Sequence, residues 1–298
     1  LIWGTAWTAI RICIQPGGYP PFEAAAWRFS GTALISALLW FGWSKFSTEK
    51  ILFTRSLLWK IFLAGAFNAV AYCLLYLAES QISGGLAAVI ASTETFFVGL
   101  LLLFTRHEKI SIGFWAGTLV SIIGMAIVFH NRMQVSAEQT CAMTLTVLVA
   151  INFAAGTVVL KEPSKLIHPI PLVTVFSFFC ALSLWLIAFV HGLQPMPFHP
   201  QLDSTYAMVY LVVMSGVVAF LLFFVAMKNF GVQKVSTMVL LIPVISLVTD
   251  HFLEKRMVLD SEAYIGIGVV LVGVALCFLP VKDKSAVRQP AEEIVIHE

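Results

Sequence analysis

The chain has 298 residues, 59% of them hydrophobic and 11% charged, with a formal net charge of +2 and a mean hydropathy of +0.92. Soluble domains carry about 25% charged residues, so a water-facing globule of this length is excluded and the solvent is lipid. So small a net charge, with no basic cluster interleaved with aromatics, also excludes a nucleic-acid-binding surface.

Ten continuously apolar runs predict ten transmembrane helices, at 1–14, 22–44, 57–80, 83–104, 111–130, 141–161, 170–191, 205–228, 232–253 and 261–280. Strands of a membrane barrel would alternate polar and apolar residues instead, so the fold class is all-α. The first run spans only about 21 Å at ~1.5 Å per residue, against a hydrocarbon layer of roughly 30 Å. It starts at Leu1 and has neither a basic leader nor a small-residue cleavage site, so it reads as a first helix with its beginning missing rather than a signal peptide. Pro16, Pro20 and Pro21 precede the second run, Pro169 and Pro171 surround the start of the seventh, Pro195, Pro197 and Pro200 precede the eighth, and Pro280 follows the tenth. These are the places where helices are expected to start and stop.

Lys45, Lys50, Arg55, Lys60, Arg106, Lys109, Lys161, Lys165, Lys228, Lys234, Lys282, Lys284 and Arg288 fall on one side of the ten-helix threading. Only Arg11, Arg132, Lys255 and Arg256 fall on the other. The positive-inside bias makes the richer side cytoplasmic, with both termini inside and a polar, mobile tail over 281–298. An integral protein of a bacterial inner membrane is the expected localisation. Cys13, Cys73, Cys141, Cys180 and Cys277 form no Cys-x-x-Cys pair, so neither a disulfide framework nor a metal site is expected, and no cofactor is implied.

The two halves echo each other. Arg106-His107-Glu108-Lys109 is followed by Gly117 and Gly124, and Glu254-Lys255-Arg256 by Gly266 and Gly273. Both glycines shift by the same 149 positions (266 − 117 and 273 − 124). An odd number of helices per half turns the second copy upside down, so 1–132 and 141–280 read as inverted five-helix repeats around a central cavity, the organisation of secondary transporters. Gly113, Gly117, Ser121 and Gly124, with Gly266, Gly268 and Gly273 in the other half, provide small-residue faces for close helix packing or a protomer contact. A monomer and a homodimer both remain open.

Polar side chains at membrane depth mark the candidate site, because lipid penalises them. In the third helix Asn68, Tyr72, Tyr76 and Glu79 lie four, four and three apart, within about 80° of one face. That stripe points to a cavity or to interhelical hydrogen bonds. Glu94 lies near the middle of the fourth helix beside Ser92, Thr93 and Thr95, where a carboxylate suits an amine or a coupling proton; the bland alternative is a structural glutamic acid. Arg28 either snorkels outward or pairs with Glu79. Asp250-His251 is a candidate proton relay or simply a solvated helix end. In the second half Asn152, Ser215 and Pro243 lie near mid-membrane, the proline freeing a backbone carbonyl. Trp3, Trp7, Phe220 and Phe224 are candidate aromatic walls, or plain packing.

Taken together these residues resemble the EamA group of ten-helix permeases in the drug/metabolite transporter superfamily. Trp3-Gly4-Thr5, Trp27-Arg28-Phe29, Ala78 with Ser83–Leu86, Glu94, Glu108, Pro243 and Glu254 follow the order of that family's motifs. Thr95 departs from a usual proline, which implies a straighter fourth helix, Ile242 replaces a glutamate, and Ala154-Ala155-Gly156-Thr157 lacks a common tryptophan. The resemblance implies a cavity lined by helices 1, 3, 4, 6, 8 and 9, and a solute moved outward by alternating access.

The expected function is therefore a secondary transporter for a small organic metabolite, an amino acid or related amphoteric solute, with candidate proton coupling through Glu94, Glu79 or Arg28. The alternatives are a channel or sensory scaffold and an intramembrane enzyme. Against the enzyme, the chain contains neither His-Glu-x-x-His nor Gly-x-Ser-x-Gly, and no phosphate-binding loop for direct use of ATP.

Overall fold

The computed structural model describes residues 1–47, 53–106, 110–129, 137–194, 200–249 and 261–278, and among them every regular element is a helix. In order these are α1 (Ile2–Cys13), α2 (Pro21–Ser44), α3 (Arg55–Glu79), α4 (Gly84–Ala91), α5 (Glu94–Arg106), α6 (Ile112–Phe129) and α7 (Ala137–Val159). Then follow α8 (Lys161–Leu166), α9 (Pro169–His191), α10 (Leu202–Tyr210), a π-helical segment Leu211–Val218, α11 (Ala219–Phe230), α12 (Val232–Val239), α13 (Ile242–Thr249) and α14 (Ser261–Cys277). Arg55–Glu79, Gly84–Thr105, Glu138–Val159, Pro169–His191 and Leu202–Phe230 are long and apolar enough to cross a bilayer. Asp250–His251, the motif residues Glu108 and Glu254 and the tail from Val281 lie outside the described residues.

Helix starts have local causes. Pro21 opens α2, where its missing N–H costs nothing. Thr54 and Ser83 cap α3 and α4 by accepting from Leu57 N at 3.3 Å and Leu86 N at 3.2 Å. Gly231, at φ +81°, turns the chain between α11 and α12 in a region that side chains disfavour.

Three predicted helices are interrupted. The fourth breaks between α4 and α5, against the expectation that Thr95 in place of proline leaves it straight. Ser92 and Thr93 hydroxyls donate back to the carbonyls of Val89 and Ile90, both at 2.6 Å. Thr95 N and Phe96 N reach only three residues back, to Ser92 O and Thr93 O. Hydroxyl competition thus does the work of a proline. The ninth breaks between α12 and α13, where Leu240 N and Leu241 N likewise bond three residues back, just ahead of Pro243. The eighth contains the π-helical turn. Starts of the broken pieces correspond between halves: α4 and α12 begin 148 apart (232 − 84), and α5 and α13 also (242 − 94).

Packing follows the same correspondence. The most extensive helix contacts are α6 with α14, α2 with α9, and α3 with α7 and α9. Contacts of α3 with α7 and α9 are matched by contacts of the π-helical segment with α1 and α2, and α1 with α13 by α7 with α5. In the α6–α14 pair the echoing glycines meet. A Cβ on Gly117 would strike Gly273 O, and one on Gly124 would sit 2.8 Å from Gly266 O, so the two helices run antiparallel. Gly268, in contrast, faces open space and takes no part in the seam. The α2–α9 pair is antiparallel as well: Phe22 stacks edge-on against His191, Trp185 Nε1 donates to Ser30 at 3.0 Å, and Trp43 stacks on His168.

Candidate functional site

A cavity of about 80 Å³ lies at the centre of the bundle, lined by residues of α1, α2, α3, α5, α7, α9, α11, α12 and α13. Of the residues the sequence nominates, Trp3, Trp7, Asn68, Tyr72, Glu94, Arg28 and Phe220 line it together.

Glu94 is the first residue of α5, 8% exposed, where unpaired N–H groups and the helix dipole favour negative charge. The Thr157 hydroxyl donates to its Oε1 at 3.1 Å. Thr157 is carried by α7, which comes close because Gly156 has no side chain to strike the amide of Asn68. Asn68 itself donates to Ala64 O at 3.0 Å. The break at Ser92–Thr93 therefore decides the site's chemistry: it turns a mid-helix glutamate into a helix-start carboxylate.

Arg28 closes another wall. It is 1% exposed, so it does not snorkel. Its Nη2 donates to Ser215 Oγ at 2.8 Å, and its Cζ stands 4.8 Å from the Tyr72 ring centre and 5.4 Å from that of Phe29. Among the described residues Nε and Nη1, both buried, have no partner at full hydrogen-bond geometry, and neither has the buried Tyr76 hydroxyl. The expected pairing with Glu79 is replaced by this arrangement, because the two side chains line different cavities. A cation so placed without a counter-charge costs several kcal/mol, of the order seen for broken buried pairs. The π-helical turn supplies its one acceptor. Thr32 Oγ1 fills the place a Cβ on Gly216 would need, and donates to Val212 O at 3.3 Å. Ser215 O accepts from Trp3 Nε1 at 3.2 Å. Such turns recur at functional sites because they expose backbone groups that a regular helix hides.

Aromatic rings make up most of the remaining wall. Trp3 packs on Phe220 at 5.2 Å and Phe223 at 5.0 Å, and Tyr72 on Phe153 at 5.1 Å. Phe176 packs on Phe220 at 5.3 Å. These distances suit edge and tilted ring contacts.

The other nominated residues stand outside the lining. Phe224 is fully buried behind Phe220 and Phe176, and Tyr76 is buried one turn beyond Tyr72. Ser92 turns toward α6, with its Oγ 2.9 Å from Met125 Sδ. Asn152 is half-buried and donates to Leu148 O of its own helix at 2.9 Å. Pro243 is buried next to Ile242, which does line the cavity, and Ser215 contributes through Arg28 and Trp3. Glu79 belongs to a second cavity of about 1060 Å³ with Arg11, Asp203, Tyr206 and Tyr210. The eleven steps from Asn68 to Glu79 cover about 16 Å of helix, so one stripe serves two cavities. Between these cavities stands α1, with Ala6, Trp7 and Ile10 toward the centre and Thr5, Ala9 and Ile12 toward the second.

Sequence reasoning did not find Phe153, Thr157, Phe176 and Phe223. Phe153 and Thr157 are four apart, the spacing of one helix face, and that spacing was the available signal. Phe176 and Phe223 sit in helices so uniformly apolar that no signal distinguishes them.

The sequence matches the EamA-like transporter family over residues 1–130 and again over 140–279. A relative from Archaeoglobus fulgidus, named an uncharacterized transporter, is 24% identical over 286 residues, covering 91% of this chain and 93% of its own. A protein of known crystal structure superposes with a TM-score of 0.71 at 17% identity, covering 93% of this chain and 92% of that one; it shows the fold.

Proposed function

This chain belongs to the EamA-like transporter family, and on that premise we propose that it is a secondary transporter moving a small amphoteric solute, an amino acid or a related metabolite, by alternating access. The observation that carries this reading is a carboxylate at the start of a broken half-helix, held by Thr157 and sharing a cavity with aromatic walls. Half-helix ends near the bilayer midplane are where secondary transporters hold polar solute groups. Glu94 takes the solute's amine, and its protonation couples transport to protons.

With α4–α5, α10 through α11, and α12–α13 each taken as one span and the six-residue α8 taken as a connector, the described helices group into ten spans. The antiparallel α6–α14 and α2–α9 pairs support inverted repeats, since a two-fold axis in the membrane plane maps each member onto a partner of opposite sense. In the proposed cycle α1 is the partition whose tilt joins the central cavity to the larger one beside Glu79. The protein resides in a bacterial inner membrane with both termini cytoplasmic, and the solute leaves the cell.

Purified protein in liposomes should show saturable counterflow of a labelled amino acid. Unchanged kinetics in Glu94→Gln remove that residue from the cycle. Sustained unitary currents in a planar bilayer, without saturable exchange, assign the protein to the channel alternative.

A further inference from the structure

Resting on the transport reading above, we propose that Arg28 is the carboxylate receptor of the central cavity, so that its solutes are small carboxylates with an apolar body.

Arg28 is a wall residue of the same cavity as Glu94, yet it is stabilised poorly by the protein itself. Its Nη2 donates to Ser215, while among the described residues Nε and Nη1 have no acceptor at full hydrogen-bond geometry. The Tyr72 ring face offers a cation–π contact at 4.8 Å, which compensates a desolvated charge only in part. The Tyr72 and Tyr76 phenols face the guanidinium within reach of weak hydrogen bonds, and Cys13 and Cys180 lie near it, but none of these is a carboxylate, and among the described residues it forms no ion pair. A guanidinium kept for structure alone is expected to spend its donors on carbonyls or a carboxylate. This one retains unused donors at Nε and Nη1 in a cavity that already presents a carboxylate elsewhere. An incoming carboxylate supplies both the missing counter-charge and the missing acceptors, in charge-assisted hydrogen bonds.

The surroundings define the rest of the solute. Trp3, Phe153, Phe176 and Phe220 leave no other charged partner for it among the lining residues, so the body between the charged ends is apolar. Ser215 is a positioning residue: its hydroxyl, set by the π-helical turn, holds the guanidinium at the cavity wall.

The test is a binding series on the detergent-solubilised full chain, read by ligand-induced thermal stabilisation. Leucine, methionine and phenylalanine are compared with their deaminated acids and their decarboxylated amines, in wild type, Arg28→Gln, Arg28→Lys and Glu94→Gln. Arg28→Gln should weaken the amino acids and the acids by at least about tenfold, the effect of losing a charged hydrogen-bond partner, and leave the amines unchanged. Arg28→Lys should recover part of the loss, and Glu94→Gln should weaken the amines selectively. Should Arg28→Gln fail to fold, Arg28→Lys reads the same contrast, with acids weakened and amines not. Equal weakening of acids and amines by either Arg28 variant, acids bound as tightly as in wild type, or a wild type that binds none of the carboxylates would each overturn the proposal. Counterflow decides the transport reading separately. Saturable exchange without the Arg28 contrast leaves a transporter whose anion site is elsewhere, whereas the contrast without exchange leaves a carboxylate-binding membrane protein.

Discussion

The α6–α14 seam offers a comparison in which the backbone term cancels. Gly124 and Gly268 are both helical glycines, in α6 and α14. A Cβ on Gly124 would sit 2.7 Å from Val270 N and 2.8 Å from Gly266 O, whereas one on Gly268 has nothing within 4 Å. Ordinary contact begins near 3.4 Å, so alanine at 124 requires the helices to part by about 0.7 Å (3.4 − 2.7), and the opposing atoms are backbone that cannot rotate away. Overpacking of this kind costs about 1–3 kcal/mol. The gain in helix propensity from Gly to Ala, about 1 kcal/mol, applies to both positions and drops out of the difference. Gly124→Ala should therefore be about 1–3 kcal/mol less stable than Gly268→Ala, with Gly268→Ala equal to or above wild type. Thermal unfolding in detergent, followed by loss of the monodisperse peak in size-exclusion chromatography, measures the order. Coincident midpoints for the two variants, or the reverse order, would refute the argument that the two repeats meet backbone to backbone here.

Other consequences are equally open to measurement. Thr157→Val removes the hydroxyl that donates to Glu94 and should reduce transport by about tenfold, the worth of a charge-assisted hydrogen bond, with unfolding unchanged; a loss of stability with transport intact would argue for a packing role. Gly216→Ala places a methyl against Thr32 Oγ1 and should cost about 1–3 kcal/mol, recovered in part when Thr32→Ala is added; no recovery would place the strain elsewhere. The Lys60–Glu162 pair is close at 2.6 Å but its side chains are 27% and 42% exposed, so Glu162→Gln should change stability by less than about 1 kcal/mol, and less still in high salt. Cys141 is exposed at the start of α7 while Cys13 and Cys180 are buried. In intact cells an impermeant maleimide should label Cys141 from outside, and labelling only in inverted vesicles would reverse the proposed orientation.

Much of this architecture was legible beforehand. Lipid excludes charge and unpaired backbone, so continuous apolar runs between prolines and basic loops declare helices and their approximate ends. The spacing of Gly117, Gly124, Gly266 and Gly273 already marked a duplicated element, and the tertiary structure shows these four glycines touching one another. Glu94, Asn68 and Tyr72 stood out because polar groups at that depth are rare, and they share one cavity.

Orientation around each helix was not legible, for a physical reason. In water a helix advertises its buried face by contrast with a polar one, but here lipid and core are both apolar, so Asn152 and Phe153 look equally fit to face inward. Only packing turned Phe153 and Thr157 to the cavity and left Asn152 bonded to its own helix. Local hydrogen-bond competition broke the fourth span at Ser92 and Thr93 without a proline. Arg28 had two readings in one dimension. Its burial against Tyr72 and Ser215 was decided by the approach of α2 to the π-helical turn, a meeting of residues nearly two hundred positions apart that no local pattern encodes. The chain's composition and repeats determined that it spans a membrane as paired helical modules; which side chains the cavity holds was decided by contacts between those modules.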